Sequence, residues 1–453
     1  MPARRTAALL AMALAIALAS GAATSAAAQA PAAAYVVLGG AGAVARAVVL
    51  AGTTGIVPQC PAIEVNGAPQ AMTMRATPDA KFPILVCEYV LPASATSAAI
   101  GGQALPLPPA ALNSIAVFGD TGCRLKAGKT SAAQAAHDTD EDEASGKFQD
   151  CNNPSDWPFA PMSATIAQAK PDLVVHVGDY LYRESACPSG DQGCQGSPFG
   201  DNWTTWAADF FTPAAPLLQA APWIVTRGNH EICKRAGVGY ARLLDPTPAG
   251  SQLPPACVDL IDQYTVTAGG HAFIVLDSSD APDECPKSGC NSAPYAAQLA
   301  TMKPAAATWL VTHRPIWGFT NSKDKKTGKR KLGIRNMTLQ AALAQRKGMP
   351  PAGITLVLSG HIHLWEALSF ADQRSPQFVL GSGSTELAHK ITEKLKGAKI
   401  GGTTVAAATT DHHFGYTMFV PSKGGGHWNA TLYDTAGKAR IACKVTATKA
   451  TCQ

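Results

Sequence analysis

The chain has 453 residues, with 37 basic and 32 acidic side chains, a formal net charge of +5 and 15% charged residues. So mild an excess excludes a nucleic-acid binder that works by charge, and 46% apolar residues suffice for a large core. The length suits one large catalytic domain plus a small module.

The N-terminus reads as an export signal. MPARR is basic, AALLAMALAIALA is apolar but too short to span a bilayer, and AQA at Ala28 to Ala30 is a small-residue cleavage site. Cleavage is expected near Ala30, with Ala23 and Ala28 as alternatives, which assigns residues 1–30 to a signal peptide. No later segment is apolar enough over sufficient length to cross a membrane. The expected location is therefore secreted or periplasmic, with no membrane partner. The 12 cysteines agree with an oxidising compartment, because sequential neighbours could close six local bridges and no C-x-x-C pattern is present.

Residues 31–112 are expected to form a small β-rich module, since YVVLG and FPILVCEYVLP alternate with NGAP, GGQ and LPLPP punctuation. GAGAVA (Gly40 to Ala45) imitates a dinucleotide fingerprint. The ARAVVLAGTTG that follows is β-branched and glycine-broken, a poor crossover helix, so the fingerprint is set aside.

From Ser114 the texture changes. SIAVFGDTG, DLVVHVGDYLY, WIVTRGNHE, AFIVLDSSD, TWLVTHRP and ITLVLSGHIH are apolar runs, each ending in polar residues. MSATIAQAK and WAADFFTPAAPLLQAA between them look helical. Continuous apolar strands separated by helices indicate an α/β domain with covered sheets, here residues 113–453. Ligands in such sheets gather at the carboxyl ends of the strands, where every polar cluster falls. Two charged insertions also stand out. HDTDEDE (137–143) reads as a solvated loop between cysteines, with a calcium site as the weaker alternative. KDKKTGKRK (323–331) reads as a solvated face that could also steer anions.

The strand ends supply Asp120, Asp179, Tyr182, Asn229, His230, His313, His361 and His363. Singly, each has an ordinary explanation as a cap, a turn residue or a packed ring. Together they do not, because a core has no reason to place this donor set at one edge, whereas two bridged cations would give every donor a partner. His361 and His363, one residue apart in extended chain, point the same way and could share one ion or serve two. Gly360 is expected to permit the tight turn before them.

In order, GDTG, GDYLY, GNHE, VTHRP and GHIH resemble the calcineurin-like metallophosphoesterase superfamily. The tyrosine three residues after Asp179 is similar to the purple acid phosphatase branch. The resemblance implies a two-sheet αββα sandwich with two metal ions. Asp120, Tyr182 and His363 would hold Fe(III), and Asn229, His313 and His361 a divalent ion (Zn, Fe or Mn). Asp179 would bridge them, and His230 would be the acid beside the leaving group. The implied reaction is phosphomonoester hydrolysis by a metal-bridging hydroxide on a small phosphate-ester substrate. A phosphodiesterase or nucleotidase on the same metals is the alternative, and a non-catalytic binding protein a weaker one. His412 and His413 of DHHFGY, and Arg314, are further candidates for substrate or supporting contacts.

Overall fold

A computed structural model describes residues 30–52, 58–128, 146–286, 288–323 and 327–453. The expected signal peptide (save Ala30), the HDTDEDE run and residues 324–326 of the basic run lie outside them. Two sheets, of 11 and 8 strands, carry the fold. In the middle of the larger sheet, β1 (Ile115–Phe118), β2 (Leu173–His176) and β3 (Trp223–Val225) run parallel. β4 (Thr308–Thr312) lies in the smaller sheet. A separate hairpin of β5 (Gly318–Lys323) and β6 (Arg330–Arg335) follows. The chain then returns as β7 (Ile354–Ser359), parallel to β4.

Period-two alternation decides what each strand buries. Ile115 and Val117 join Val175, Ile224, Val311, Leu356 and Leu358 in one core between the two sheets. Ala116 and Phe118 face the other way, into a core with Phe159, Met162 and Leu217 from the helices Phe159–Gln168 and Thr212–Ala220. On the far side of the smaller sheet, Leu310 and Val357 pack with Leu299 and Leu339 from the helices Ala293–Thr301 and Met337–Ala344. The layers are therefore helix, sheet, sheet, helix, the expected αββα sandwich. Both faces of each central strand are covered, which is why these runs are apolar throughout.

The segment read as an N-terminal module supplies strands, and four of them extend the catalytic sheet. Ala33–Gly39 pairs parallel with β3, and Gly42–Leu50, Ile84–Val90 and Thr73–Ala76 continue outward. Only Ala62–Val65, Ala68–Ala71, Ala98–Ile100 and Gln103–Ala104 form a small sheet of their own. GAGAVA is the tip and return strand of a hairpin with Gly39 opposite Gly42, so no helix follows it.

All 12 cysteines are paired, as 60–87, 123–151, 187–194, 233–257, 285–290 and 443–452. These are the sequential neighbours the spacing predicts. Among the described residues, no helix is long and apolar enough to cross a membrane.

Candidate metal centre

All eight strand-end residues converge. Asp120 follows β1, Asp179 and Tyr182 follow β2, Asn229 and His230 follow β3, His313 follows β4, and His361 and His363 follow β7. The larger sheet thus contributes the oxygen donors, and the smaller one three imidazoles. Tyr182 Oη lies 3.1 Å from Asp120 Oδ1, 2.8 Å from Asp179 Oδ2 and 2.9 Å from His363 Nε2. Asn229 Oδ1 lies 2.9 Å from His313 Nε2 and 2.7 Å from His361 Nδ1, and His313 Nε2 is 3.2 Å from Asp179 Oδ2. The same Asp179 oxygen therefore touches both groups. Donors about 2.1 Å from a shared ion sit roughly 3 Å apart, which is the spacing of both sets.

The tautomers sharpen this. His363 Nδ1 is 2.8 Å from the Glu386 carbonyl and His313 Nδ1 is 2.8 Å from the Val177 carbonyl, so both must donate there. Each Nε2 then presents a lone pair to the cluster. Tyr182 Oη, with one proton, faces two carboxylate oxygens and one imidazole lone pair. One hydrogen cannot satisfy three acceptors, whereas a cation among them can. The chemistry of the donor set fits bound metal ions.

The local backbone is bent to aim these groups. Asp120, Asp179 and His361 have φ of 59°, 59° and 71°, a left-handed conformation that costs L residues about 1 kcal/mol or more each. Gly360 does not make the left-handed turn; His361 does. Gly360 is needed for room, since a Cβ there would run into Asp120 Oδ2. Gly228 is constrained likewise, because its Cβ would strike Asp179 Oδ1.

Electrostatics follow from burial. Burial, then the neighbouring Asp179 carboxylate, pushes Asp120 well above the usual carboxylate range. Burial also opposes ionisation of Asp179, but His313 and His230 outweigh it and hold that carboxyl well below the range. The Tyr182 phenol is driven well up by burial and by both aspartates, so it ionises only if positive charge arrives beside it. Tyr180 is no rival: its hydroxyl accepts from the Thr226 N–H at 3.2 Å, and its ring stacks on His176 at 4.0 Å.

His230 packs its ring 3.7 Å from that of Tyr182, with Nδ1 2.8 Å from Glu184 Oε1 and Nε2 3.9 Å from Asp179 Oδ2. Burial and the Arg235 guanidinium push its pKa down. Arg235 itself pairs with Glu184.

Several supporting residues escaped sequence reasoning. Asp283, fully buried, places Oδ2 2.7 Å from His361 Nε2, which turns Nδ1 toward the cluster. Arg314, already singled out from the sequence, holds the same oxygen at 2.8 Å and so anchors Asp283. Glu231 accepts from the N–H groups of Tyr180, Leu181 and Gly228 at 2.9–3.1 Å, pinning two motif loops together. Asp209, on a single π-helical turn (Ala207–Phe211), accepts from the N–H groups of Cys123, Tyr182 and Arg183. Glu231 stood in plain view inside GNHE; Asp209 and Asp283 had no such signal. His412 Nε2 lies 2.8 Å from the carbonyl of Ala388, whose N–H donates to the His363 carbonyl, and His413 Nδ1 lies 2.9 Å from Asp411.

Residues 114–364, more than half of the chain, match the family model for calcineurin-like phosphoesterases. The protein belongs to that family, whose members hydrolyse phosphoesters with bound metal. Among solved structures, that of PhoD is similar, with a TM-score of 0.51 at 13% identity over 92% of this chain and 91% of that one. GAP50, the anchor in the inner membrane complex of Plasmodium, aligns with a TM-score of 0.40 at 13% identity over 75% of this chain and 90% of that one. The likeness to PhoD is one of fold. No curated protein is matched by the chain.

Proposed function

We propose that this protein is an exported binuclear metallophosphatase of the purple acid phosphatase type, acting on phosphomonoesters. The observation that carries the reading is Tyr182 Oη set among Asp120, Asp179 and His363, with three acceptors around one phenol. In this reading Asp120, Tyr182 and His363 hold a ferric ion, and Asn229, His313 and His361 a divalent one. Asp179, in contact with both donor groups, would serve both ions. Hard anionic oxygens suit a trivalent ion, and amide with imidazole suits Zn, Fe(II) or Mn. Such an ion pair, when bound, activates water and neutralises the phosphoryl oxygens during in-line displacement.

The chain's own residues do the rest. Asp283 fixes the tautomer of His361, and the Val177 and Glu386 carbonyls fix those of His313 and His363. Glu184, 2.8 Å from His230 Nδ1, orients the ring, and in this reading His230 would supply the proton to the leaving oxygen. Export is supported by the N-terminal sequence and by six disulfides with no free cysteine.

Metal analysis of the purified protein, combined with a panel of monoesters and diesters, tests this. About two ions per chain, one of them iron, and faster turnover of monoesters are expected. Preference for diesters overturns the substrate assignment, and one ion per chain overturns the binuclear site.

A further inference from the structure

The basic hairpin β5–β6 has a role that its charge alone does not reveal. Its register pairs Gly318 with Arg335, Thr320 with Gly333 and Ser322 with Lys331, which puts those residues on one face. Thr320, Ser322 and Arg335 of that face line the cleft into which His361 and His363 open. Arg124 and Lys147 also line it, and the one carboxylate among the lining residues is Glu386, 2.8 Å from Lys147 Nζ. The residues lining the cleft thus bring three cations and one carboxylate.

Its polar groups are arranged as well as charged. Thr320 Oγ1 and Ser322 Oγ are 2.7 Å apart, and Arg335 Nη2 donates to Ser322 Oγ at 3.4 Å. A Cβ at Gly333 would come within 2.8 Å of both hydroxyls, so the bare backbone there leaves them their space. Arg124 places its guanidinium 5.2 Å from the centre of the Tyr182 ring, next to the donor cluster. Farther out, Lys323, Lys329, Arg330 and Lys331 are exposed. Residues 323–335 hold seven basic side chains and one acidic, a formal +6 against +5 for the whole chain. Of these, Lys323, Lys329, Arg330 and Lys331 carry the positive charge outward along the hairpin. A lone scissile phosphate would be neutralised by the two ions, so these further cations and hydroxyls offer charge and hydrogen bonds to a second anion.

We propose that the cleft beside the metal centre is a subsite for a second phosphate, so the preferred substrates are small organic phosphates bearing at least two phosphate groups. Arg335 with the Thr320 and Ser322 hydroxyls forms one part of this subsite, and Arg124 with Lys147 the other. Guanidinium and hydroxyl donors together suit a phosphate dianion. The proposal rests on the phosphatase reading above.

The test compares butane-1,4-diol bisphosphate with butyl phosphate, which share a primary alkyl leaving group, by phosphate release from the metal-loaded protein. Wild type should favour the bisphosphate by about tenfold in kcat/KM, beyond the statistical factor of about two. Arg335→Gln should abolish most of that preference through KM, and Arg335→Lys should restore part of it. Lys331→Gln, at an exposed position where folding is safe, should lower the preference about two- to threefold. A wild-type preference no greater than the statistical factor, or one that survives Arg335→Gln and Lys331→Gln, overturns the subsite alone. Failure to hydrolyse either ester overturns the phosphatase reading, and the subsite with it.

Discussion

Arg46 and Arg75, near the N-terminal edge of the large sheet, are as deeply buried as Asp120 and Asp179 at its centre. The two clusters are completed in opposite ways. Arg75 donates to the carbonyls of Ala241, Arg242 and Thr247 at 2.6–3.1 Å, and to Glu88 at 2.9 Å. Arg46 donates to the Leu243 carbonyl at 2.7 Å and to that of Asp245. Ala241, Arg242 and Leu243 close the helix Gly237–Leu243, whose last carbonyls lack intrahelical partners and carry partial negative charge. Donors meet acceptors, and the chain completes itself. At the strand ends the acceptors meet other acceptors, and only something from outside can complete them. Burial of charge marks a structural lock in the first case and a site in the second. What separates them is the sign of the neighbours.

Breaking each cluster should therefore fail differently, and this is the largest expected effect. Arg75→Ala leaves three carbonyls without their donor and Glu88 with only Arg46 at 3.5 Å and the Ala249 N–H at 2.6 Å, and should cost about 3–5 kcal/mol of stability, with activity per folded molecule retained. Asn229→Ala should cost at least the roughly 100-fold in activity that loss of a ligand's supporting partner brings. Its denaturation midpoint in the metal-free protein should barely move. Denaturation curves and kcat/KM on both variants decide the matter, and an exchange of the two phenotypes would refute the contrast.

Colour sharpens the comparison next. The iron-loaded protein should absorb in the visible through a Tyr182 phenolate, and Tyr182→Phe should remove that band and reduce turnover about tenfold or more. Tyr180→Phe, whose hydroxyl lies off the cluster, should keep the band. A Tyr180→Phe protein that bleaches while Tyr182→Phe stays coloured would reassign the ligand.

Glu366 shows a third way to bury a charge, and its effect is the smallest. One carboxylate oxygen accepts from the Phe319 N–H at 3.2 Å and the other has no hydrogen-bond partner. Burial pushes its pKa up to about 8. The folded state then holds a proton that the unfolded chain releases near pH 4.5, so this contribution to stability is fully present below that pH and lost as pH rises toward about 8. The slope is at most about 1.4 kcal/mol per pH unit. Thermal melts at pH 5 and pH 8 should differ less for Glu366→Gln than for wild type; an equal difference assigns the pH dependence elsewhere.

The site motifs were legible because each sits where a short, continuously apolar strand stops, and such strands announce themselves by composition. The local disulfides were legible for a similar reason, being loops between neighbours. What stayed hidden depends on long-range approach. Asp283 meets His361 across 78 residues of sequence, and Asp209 caps loops far from its own helix. Nor could the sequence show that strands such as Ala33–Gly39 would add to the catalytic sheet, because strand runs carry no address for their partner. Gly360 was recognised as necessary but for the wrong reason, since only the packed structure shows Asp120 occupying the space of its missing side chain.

The oxygen donors hang from one sheet and most of the imidazoles from the other. The separation of those sheets is therefore a gauge for the distance between the two halves of the cluster. That separation is set by the residues between them, where Trp309 meets Phe419 at 5.1 Å and Trp428 at 4.8 Å. Interiors this dense transmit a change of one methylene as a shift in position. The thickness of the hydrophobic core thereby becomes a control on metal affinity, and residues that never approach the chemistry tune how tightly the two halves can grip.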